Sequence, residues 1–290
     1  MPAASKLLDK ISAEFPHLKW TDYIYIDEGW DHEVIVLDDK IVFRFPSDTE
    51  YTKKLKYEIE VLKFIQPKLN VKIPQYNYIS TDHTFAGYTI ITGQQIFKPR
   101  FDNLTIAQRT SIARQLADFL SIIHSQPTDS GVLANLNKSY LGADQANIKA
   151  SLPKLKLKLD SQEYTIALNI LSEIYRLLQK KLPAKFIHND IYSRHLIWNA
   201  NNNALGLIDF SDMCLGDPAV DFAELHEYGK DFVEEVYKLY TGTKDATFLD
   251  RAWQYQRWIG VDMMTDYFES QKTTFEVAKQ TFDRAKQQVI

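Results

Sequence analysis

Three residues within 186–221, Asp190, His195 and Asp209, could do phosphate chemistry if folding brings them together. Two carboxylates and an imidazole make a site for magnesium and for a hydroxyl about to be phosphorylated. The residues between them say how they would meet. Two apolar runs, Leu196-Ile197-Trp198 and Leu205-Gly206-Leu207-Ile208, flank the Asn-rich segment 199–203, the pattern of a β-hairpin. Asp190 precedes the first run, His195 heads it and Asp209 directly follows the second. Closing the hairpin carries all three to one end. The plainer alternative is that Asp190 and Asp209 only cap turns.

A phosphoryl donor has to be gripped from the other side, and the N-terminal third has the parts. A short helix is expected over 3–15, with Leu7, Leu8 and Ile11 on one face. Strand 23–26, a turn over 27–32 holding Gly29 and strand 33–37 form either a loop over nucleotide phosphates or an ordinary hairpin. In the next strand, 41–45, alternation puts Ile41, Phe43 and Phe45 on one face and Val42 and Arg44 on the other. Val42 would roof a purine, and Arg44, two residues on, would reach its phosphates. The alternative is a surface charge on an edge strand. A helix over 49–65 follows, with Leu55, Ile59, Leu62 and Ile65 at helical spacing and Glu58 beside that stripe, where it could meet Arg44. Glu60 competes from a more polar side. An antiparallel pair, 76–80 with 85–91, leads to a hinge at 92–95. There the backbone at Ile91, Thr92 and Gly93 would bond the purine edge. Ile197 and Ile208 would lie beneath the base.

In the C-terminal part, Thr105 is an N-cap and the helical period runs to His124. Residues 139–152 are ambiguous, and 161–178 form an amphipathic helix. Past the hairpin, Glu224, Glu227, Asp231, Glu234 and Glu235 recur at three- and four-residue spacing along an expected helix interrupted at Gly229. Such a stripe is either a solvated face or an attractor for a polycation. Asp262, Asp266 and Glu269 make a second row. Between the rows lie Trp253, Tyr255 and Trp258, to stack on sugar rings or to pack in the core. Asp212 faces either substrate or structure.

These motifs carry a resemblance. His188-Asn189-Asp190 followed by His195 resembles the catalytic loop of antibiotic kinases, distant relatives of protein kinases. Ile208-Asp209-Phe210-Ser211 resembles their metal-binding segment, and Asp217-Pro218-Ala219-Val220-Asp221-Phe222 resembles the D-P-x-x-D-[FL] run after it. A His at 195, where protein kinases carry Asn, is similar to the aminoglycoside 2″-phosphotransferases and the macrolide 2′-phosphotransferases. The H-N-D form leans toward the aminoglycoside group.

The resemblance implies an α+β, bilobal, protein-kinase-like fold. A nucleotide-binding lobe of antiparallel strands with one main helix would span 1–93, and a larger, mainly helical catalytic lobe 94–290. Asp190 would be the catalytic base, His195 and Asp209 would hold Mg2+, and ATP or GTP would be the donor. Gly29, Val42, Arg44, Glu58, Ile91, Thr92, Gly93, Ile197 and Ile208 would bind the nucleotide. Asp190, Asp212, Glu224, Glu227, Asp231, Trp258 and Asp262 would face the acceptor. His124 resembles a structural histidine, and Asp217 and Asp221 would hold the backbone after the metal segment rather than ligand. One departure stands out: the family normally has Lys where this chain has Arg44, and a planar fork is not a point charge. A macrolide or metabolite kinase, or a nucleotide-binding protein with little catalysis, are the alternatives.

Bulk properties bound the rest. At 290 residues, 45% hydrophobic and 25% charged, the chain has the makeup of a globular protein with ample core. A net charge of −4 speaks against a nucleic-acid partner. No apolar stretch reaches membrane-spanning length, and the N-terminus lacks a signal peptide's pattern. One cysteine, Cys214, excludes an internal disulfide and suits a reducing cytoplasm. A monomer or weak dimer is expected, with a polycationic aminoglycoside as its small-molecule partner.

Overall fold

The computed structural model describes residues 3–27, 31–139, 145–182, 184–269 and 273–287. Gly29, expected in the phosphate-covering turn, lies outside the described residues.

Helix α1 (Ala3–Glu14) packs on a five-stranded antiparallel sheet made of β1 (Tyr23–Ile26), β2 (His32–Leu37), β3 (Ile41–Pro46), β4 (Tyr76–Ile79) and β5 (Ala86–Thr89), in the order β1-β2-β3-β5-β4. The alternation in β3 sorts its side chains as the sequence requires. Phe43 and Phe45 are buried with Ile35, Leu37 and Phe85 against Leu7 and Ile11 of α1, and Phe45 stacks on Phe85 at 4.6 Å. Val42 and Arg44 are left for the opposite face.

Between β3 and β4 runs α2 (Thr49–Ile65), started by Asp48, whose carboxylate accepts from the Glu50 and Tyr51 amides. Its C-terminal half does not join the sheet's own core. Val61, Leu62 and Ile65 belong to the large core of the helical region, as do Val71 and Ile73 of the following loop.

After β6 (Gln94–Gln95) come α3 (Lys98–Asp102), α4 (Ile106–His124), α5 (Gln145–Lys158) and α6 (Ser161–Leu178). Capping boxes at Thr105/Gln108 and Asp160/Glu163 fix where α4 and α6 begin. Of the ambiguous stretch 139–152, residues 145–152 form the start of α5, which carries Pro153 internally, and 140–144 lie outside the described residues. Then β7 (Lys185–Ile187) leads to the hairpin of β8 (Leu196–Asn199) and β9 (Ala204–Leu207), and β10 (Cys214–Gly216) returns to pair with β7. The acidic stripe is not one helix. Glu224–Tyr228 is a 3-10 turn, and Gly229 at φ 104° breaks the chain before α7 (Lys230–Leu239). A residue in that region of φ cannot continue a right-handed helix. Helices α8 (Phe248–Asp266) and α9 (Phe275–Gln287) close the fold. Among the described residues no helix is long and apolar enough to cross a membrane.

Two features lock the hairpin in place. Gln94 and Gln95 of β6 pair with Trp198 and Ile197 of β8. On the other side, Lys72 donates its amide to the Leu205 carbonyl (2.9 Å) and accepts from the Leu207 amide (2.8 Å). The hairpin is thus held by segments that lead out of the sheet and out of α2.

Candidate active site

Hairpin closure does bring the three chemical residues to one end. Ile197 pairs with Gly206 and Leu196 with Leu207, so His195 and Ile208 sit side by side, the Ile208 amide donating to the His195 carbonyl at 3.1 Å. The His195 ring stands between the carboxylates: Nδ1 is 3.2 Å from Asp190 Oδ2, and Nε2 is 3.6 Å from Asp209 Oδ2. Nδ1 also lies 2.9 Å from the Asp190 carbonyl oxygen. A carbonyl can only accept, so Nδ1 carries the hydrogen. Burial would lower the imidazole, but the hydrogen bond and charge of Asp190, with the charge of Asp209, outweigh it and lift His195 to about 9.

Backbone shape matters at two points. Asn189 and Asp209 adopt φ 72° and 63°, a left-handed conformation that side chains other than glycine rarely take. At Asn189 it is sustained by the carboxylate of Asp221, which accepts from the amides of His188 (3.0 Å) and Asn189 (2.7 Å). Asp221 is fixed in turn by His124 Nε2 at 2.9 Å, whose Nδ1 meets the Tyr240 hydroxyl at 2.9 Å. His124 is therefore a buried strut. Asp217 is bound by Arg251 Nε at 2.6 Å and by the Tyr255 hydroxyl at 3.1 Å. Asp221 supports the loop that carries Asp190, not the segment after Asp209, which sequence reasoning had assigned to it.

Across from this loop, Arg44 is 6% exposed and both terminal nitrogens of its guanidinium are engaged. Nη1 donates to Glu58 Oε1 (2.9 Å) and Oε2 (3.0 Å) and to Tyr76 Oη (2.9 Å). Nη2 donates to Asp209 Oδ1 (3.1 Å), Ser211 Oγ (2.7 Å) and His32 Nδ1 (3.3 Å). Glu58 is buried and Glu60 exposed, which settles which glutamate meets Arg44. Burial would raise Asp209, but Arg44 and His195 outweigh it and hold the carboxyl below its usual range. Tyr76, Ser211 and His32 had no signal in the sequence; Tyr76 and Ser211 are 32 and 167 positions from Arg44.

The residues expected around a purine are also close to one another. Gly93 (φ 144°) leaves room that a side chain would fill: a Cβ there would come within 2.8 Å of Ile197 Cγ2 and of the Trp198 carbonyl oxygen. At Gly206 a Cβ would meet Ile91 Cγ2 at 2.5 Å. The two glycines let the segment of Ile91, Thr92 and Gly93 lie against the hairpin, and Asn199 donates to Thr92 Oγ1 at 3.0 Å. Val42, on the cleft face of β3, is half-buried, as is Ile208, while Ile197 is buried.

The acceptor-side residues divide. Asp212 faces Lys54 of α2, Nζ to Oδ1 3.8 Å. Burial and the charges of Asp190 and Asp31 push its carboxyl up to about 6. Glu224 is pushed up to about 8 by burial, then by the charges of Asp190 and Glu227, so it borders the catalytic loop. Asp231 in the first turn of α7 and Asp262 on α8 are exposed. Trp258 is a correction: it is 2% exposed and packed in the large core. Burying so large an apolar surface outweighs a lining role.

Could the trio accept magnesium? Asp209 Oδ2 and His195 Nε2, 3.6 Å apart, are spaced as neighbouring ligands of one cation, and Asp209 is open to solvent, its side chain 40% exposed. Among the described residues no group of three or more His, Cys, Asp and Glu forms a ready metal cage. Magnesium typically takes one or two protein ligands and completes its shell with phosphate and water. The donor set fits that habit, with oxygen first and imidazole as the less usual member.

The model of the phosphotransferase enzyme family (APH) matches residues 22–257. An aminoglycoside 2″-phosphotransferase solved with GDP and kanamycin is 21% identical, with 98% of this chain and 99% of that one covered and a TM-score of 0.84. A related enzyme in a ternary complex with streptomycin and ATP is 20% identical, covering 99% and 96%, TM-score 0.71. A macrolide 2′-phosphotransferase type I is 16% identical over 97% of each chain, TM-score 0.66. These likenesses establish the α+β, kinase-like fold.

Proposed function

We propose, for a chain that belongs to the phosphotransferase enzyme family, transfer of the terminal phosphoryl group of ATP or GTP to a hydroxyl of an aminoglycoside. One observation carries the reading: His195 links the carboxylates of Asp190 and Asp209, while Arg44, paired to Glu58, reaches Asp209 from the sheet.

Phosphoryl transfer needs positioning and charge neutralisation more than covalent chemistry. Asp190 orients the acceptor hydroxyl and takes its proton. His195 holds the loop of Asp190 through Nδ1 and turns Nε2 toward Asp209. Asp209 and, once Nε2 gives up its proton, His195 would hold Mg2+, which would supply charge neutralisation at the phosphates. Arg44 faces the inner phosphates and Glu58 keeps it there. Val42 above, with Ile197 and Ile208 below, encloses the base, and Ile91, Thr92 and Gly93 present backbone groups to its edge. Asp212, Glu224, Glu227, Asp231 and Asp262 favour a polycationic acceptor. The chain divides at 93/94 into a nucleotide lobe and a catalytic lobe, works as a monomer or weak dimer, and resides in the cytoplasm.

The test is turnover of ATP and GTP against a panel of aminoglycosides and macrolides. Aminoglycoside-dependent turnover is the expected result; turnover on macrolides alone would reject the acceptor class. Asp190→Asn should reduce transfer by about a hundred- to ten-thousandfold, the usual worth of a positioned base, and leave nucleotide affinity within about twofold. Retained transfer would remove Asp190 from its role. A second reading, nucleotide binding with little catalysis, is favoured by the engagement of both Arg44 terminal nitrogens and predicts binding without turnover on any acceptor.

A further inference from the structure

We propose that Tyr76 and Ser211 are positioning residues that seat an arginine at position 44, so that its fork spans the two sides of the cleft; this rests on the kinase reading above. The observation is a pair of hydrogen-bonded triangles sharing one guanidinium. In the first, Arg44 Nη1 donates to Glu58 and to Tyr76 Oη, and Tyr76 itself donates to Glu58 Oε1 at 2.9 Å. In the second, Arg44 Nη2 donates to Asp209 Oδ1 and to Ser211 Oγ, and Ser211 donates to the same Asp209 oxygen at 2.8 Å.

Each triangle answers a need of the arginine. A guanidinium has two terminal nitrogens with two hydrogens each, in one plane. Glu58 offers both its oxygens to Nη1, and Tyr76 adds a third acceptor there at 2.9 Å. At Nη2, Ser211 makes the shortest contact, 2.7 Å against 3.1 Å to Asp209 and 3.3 Å to His32 Nδ1, and a buried N–H with a poor acceptor is costly. Each hydroxyl also donates onward to the carboxylate, which fixes that carboxylate's rotamer. The backbone adds rigidity. Arg44 is paired across the sheet with Val34 and Ala86, and the Tyr76 ring packs edge-on against Tyr88 at 5.3 Å. Tyr76 sits on β4 and Ser211 just past the hairpin, so one triangle belongs to the sheet and the other to the catalytic loops. A lysine ammonium, a single point without a fork, could satisfy Glu58 or Asp209 but would not use both hydroxyls.

The claim is one of coupling, so the test is a double-mutant cycle. Ser211→Ala and Tyr76→Phe are made alone and together with Arg44→Lys. Affinity for the Mg2+–nucleotide complex is measured by calorimetry, kcat and KM are measured with an acceptor that turns over, and Tm is recorded for each variant. With Arg44 present, each hydroxyl deletion should weaken Mg2+–nucleotide binding or lower kcat by tenfold or more. In the Arg44→Lys background the same deletions should cost less than threefold. A merely structural role would move Tm equally in both backgrounds and leave no coupling in affinity or kcat. Equal losses in the two backgrounds, with wild-type nucleotide binding intact, would overturn the proposal alone. If the wild-type chain binds no nucleotide at all, the kinase reading falls and the proposal falls with it.

Discussion

Replacing Asp221 with Asn should disable catalysis from a distance, because the carboxylate holds the loop that holds Asp190. Its Oδ2 accepts from the His188 amide and sits 2.9 Å from His124 Nε2, while Oδ1 accepts from the Asn189 amide. The side chain has no solvent exposure. An asparagine keeps one oxygen and replaces the other with a donor. Whichever way it flips, at least one N–H then faces another N–H. An unsatisfied buried donor costs about 1–3 kcal/mol, and losing a buried charge from a bonded network brings the total to about 3–5 kcal/mol. At roughly 2–4 °C per kcal/mol for a chain of this size, Tm should fall on the order of 10 °C. The kinetic effect is separate. Asn189 is held at φ 72° next to Asp190, a conformation that costs about 1–3 kcal/mol unless its surroundings impose it. Freed from Asp221, the loop relaxes and Asp190 shifts; a displacement of about 1 Å at a reacting group is worth roughly a hundredfold in rate. Calorimetric melting and steady-state kinetics on one preparation read both effects. Wild-type kcat in a variant whose Tm has dropped would show that the carboxylate supports the fold and not the geometry of Asp190.

Two further outcomes follow from the site. Glu224 is pushed up to about 8 by burial and by Asp190, against about 4.3 for an unfolded glutamate. The folded chain therefore holds that proton more tightly, and the stability it confers is full below pH 4.3 and is lost as pH rises through 8. Glu224→Gln should make the variant gain on the wild type across that window, measured as ΔTm against pH, and a difference independent of pH would contradict the assigned environment. Gly93→Ala forces a Cβ to within 2.8 Å of the Trp198 carbonyl at φ 144°, so nucleotide KM should rise at least tenfold; unchanged nucleotide KM would detach this segment from the base.

Much of this was legible in the sequence, for physical reasons that can be named. The helix expected over 49–65 is Thr49–Ile65 and the one over 161–178 is Ser161–Leu178, because apolar residues at helical spacing are a local signal; Asp48 and Asp160 then cap them. The hairpin was legible because alternation and an Asn-rich turn are local signals. The Arg44–Glu58 pair followed from strand alternation plus helical spacing. What was not legible is long-range. Nothing near Tyr76 announces that its hydroxyl will meet residue 44, and Asp221 serves a loop 32 and 33 positions earlier. Trp258 misled because a tryptophan between two acidic rows is the same text whether it stacks on a sugar or fills a core. Only burial separates those cases.

The charge around the hairpin end is what favours, under the proposed function, an acceptor with ammonium groups. Asp31, Asp190, Asp209, Asp212 and Glu224 are close enough to shift one another or their neighbours. Against them stand Arg44, already bound by two carboxylates, and Lys54, 3.8 Å from Asp212. Without a metal, His195 makes up part of the deficit by taking a proton between Asp190 and Asp209; a cation on Nε2 would take that proton's place. A cleft short of positive charge draws cations from outside, and in a partly water-excluded site that attraction exceeds its value in bulk water. On the proposed function, magnesium accompanying the nucleotide and an amino sugar carrying the hydroxyl would both meet the need. A neutral acceptor would meet it only in part, and raised salt should weaken the capture of a polycation more than that of a neutral sugar.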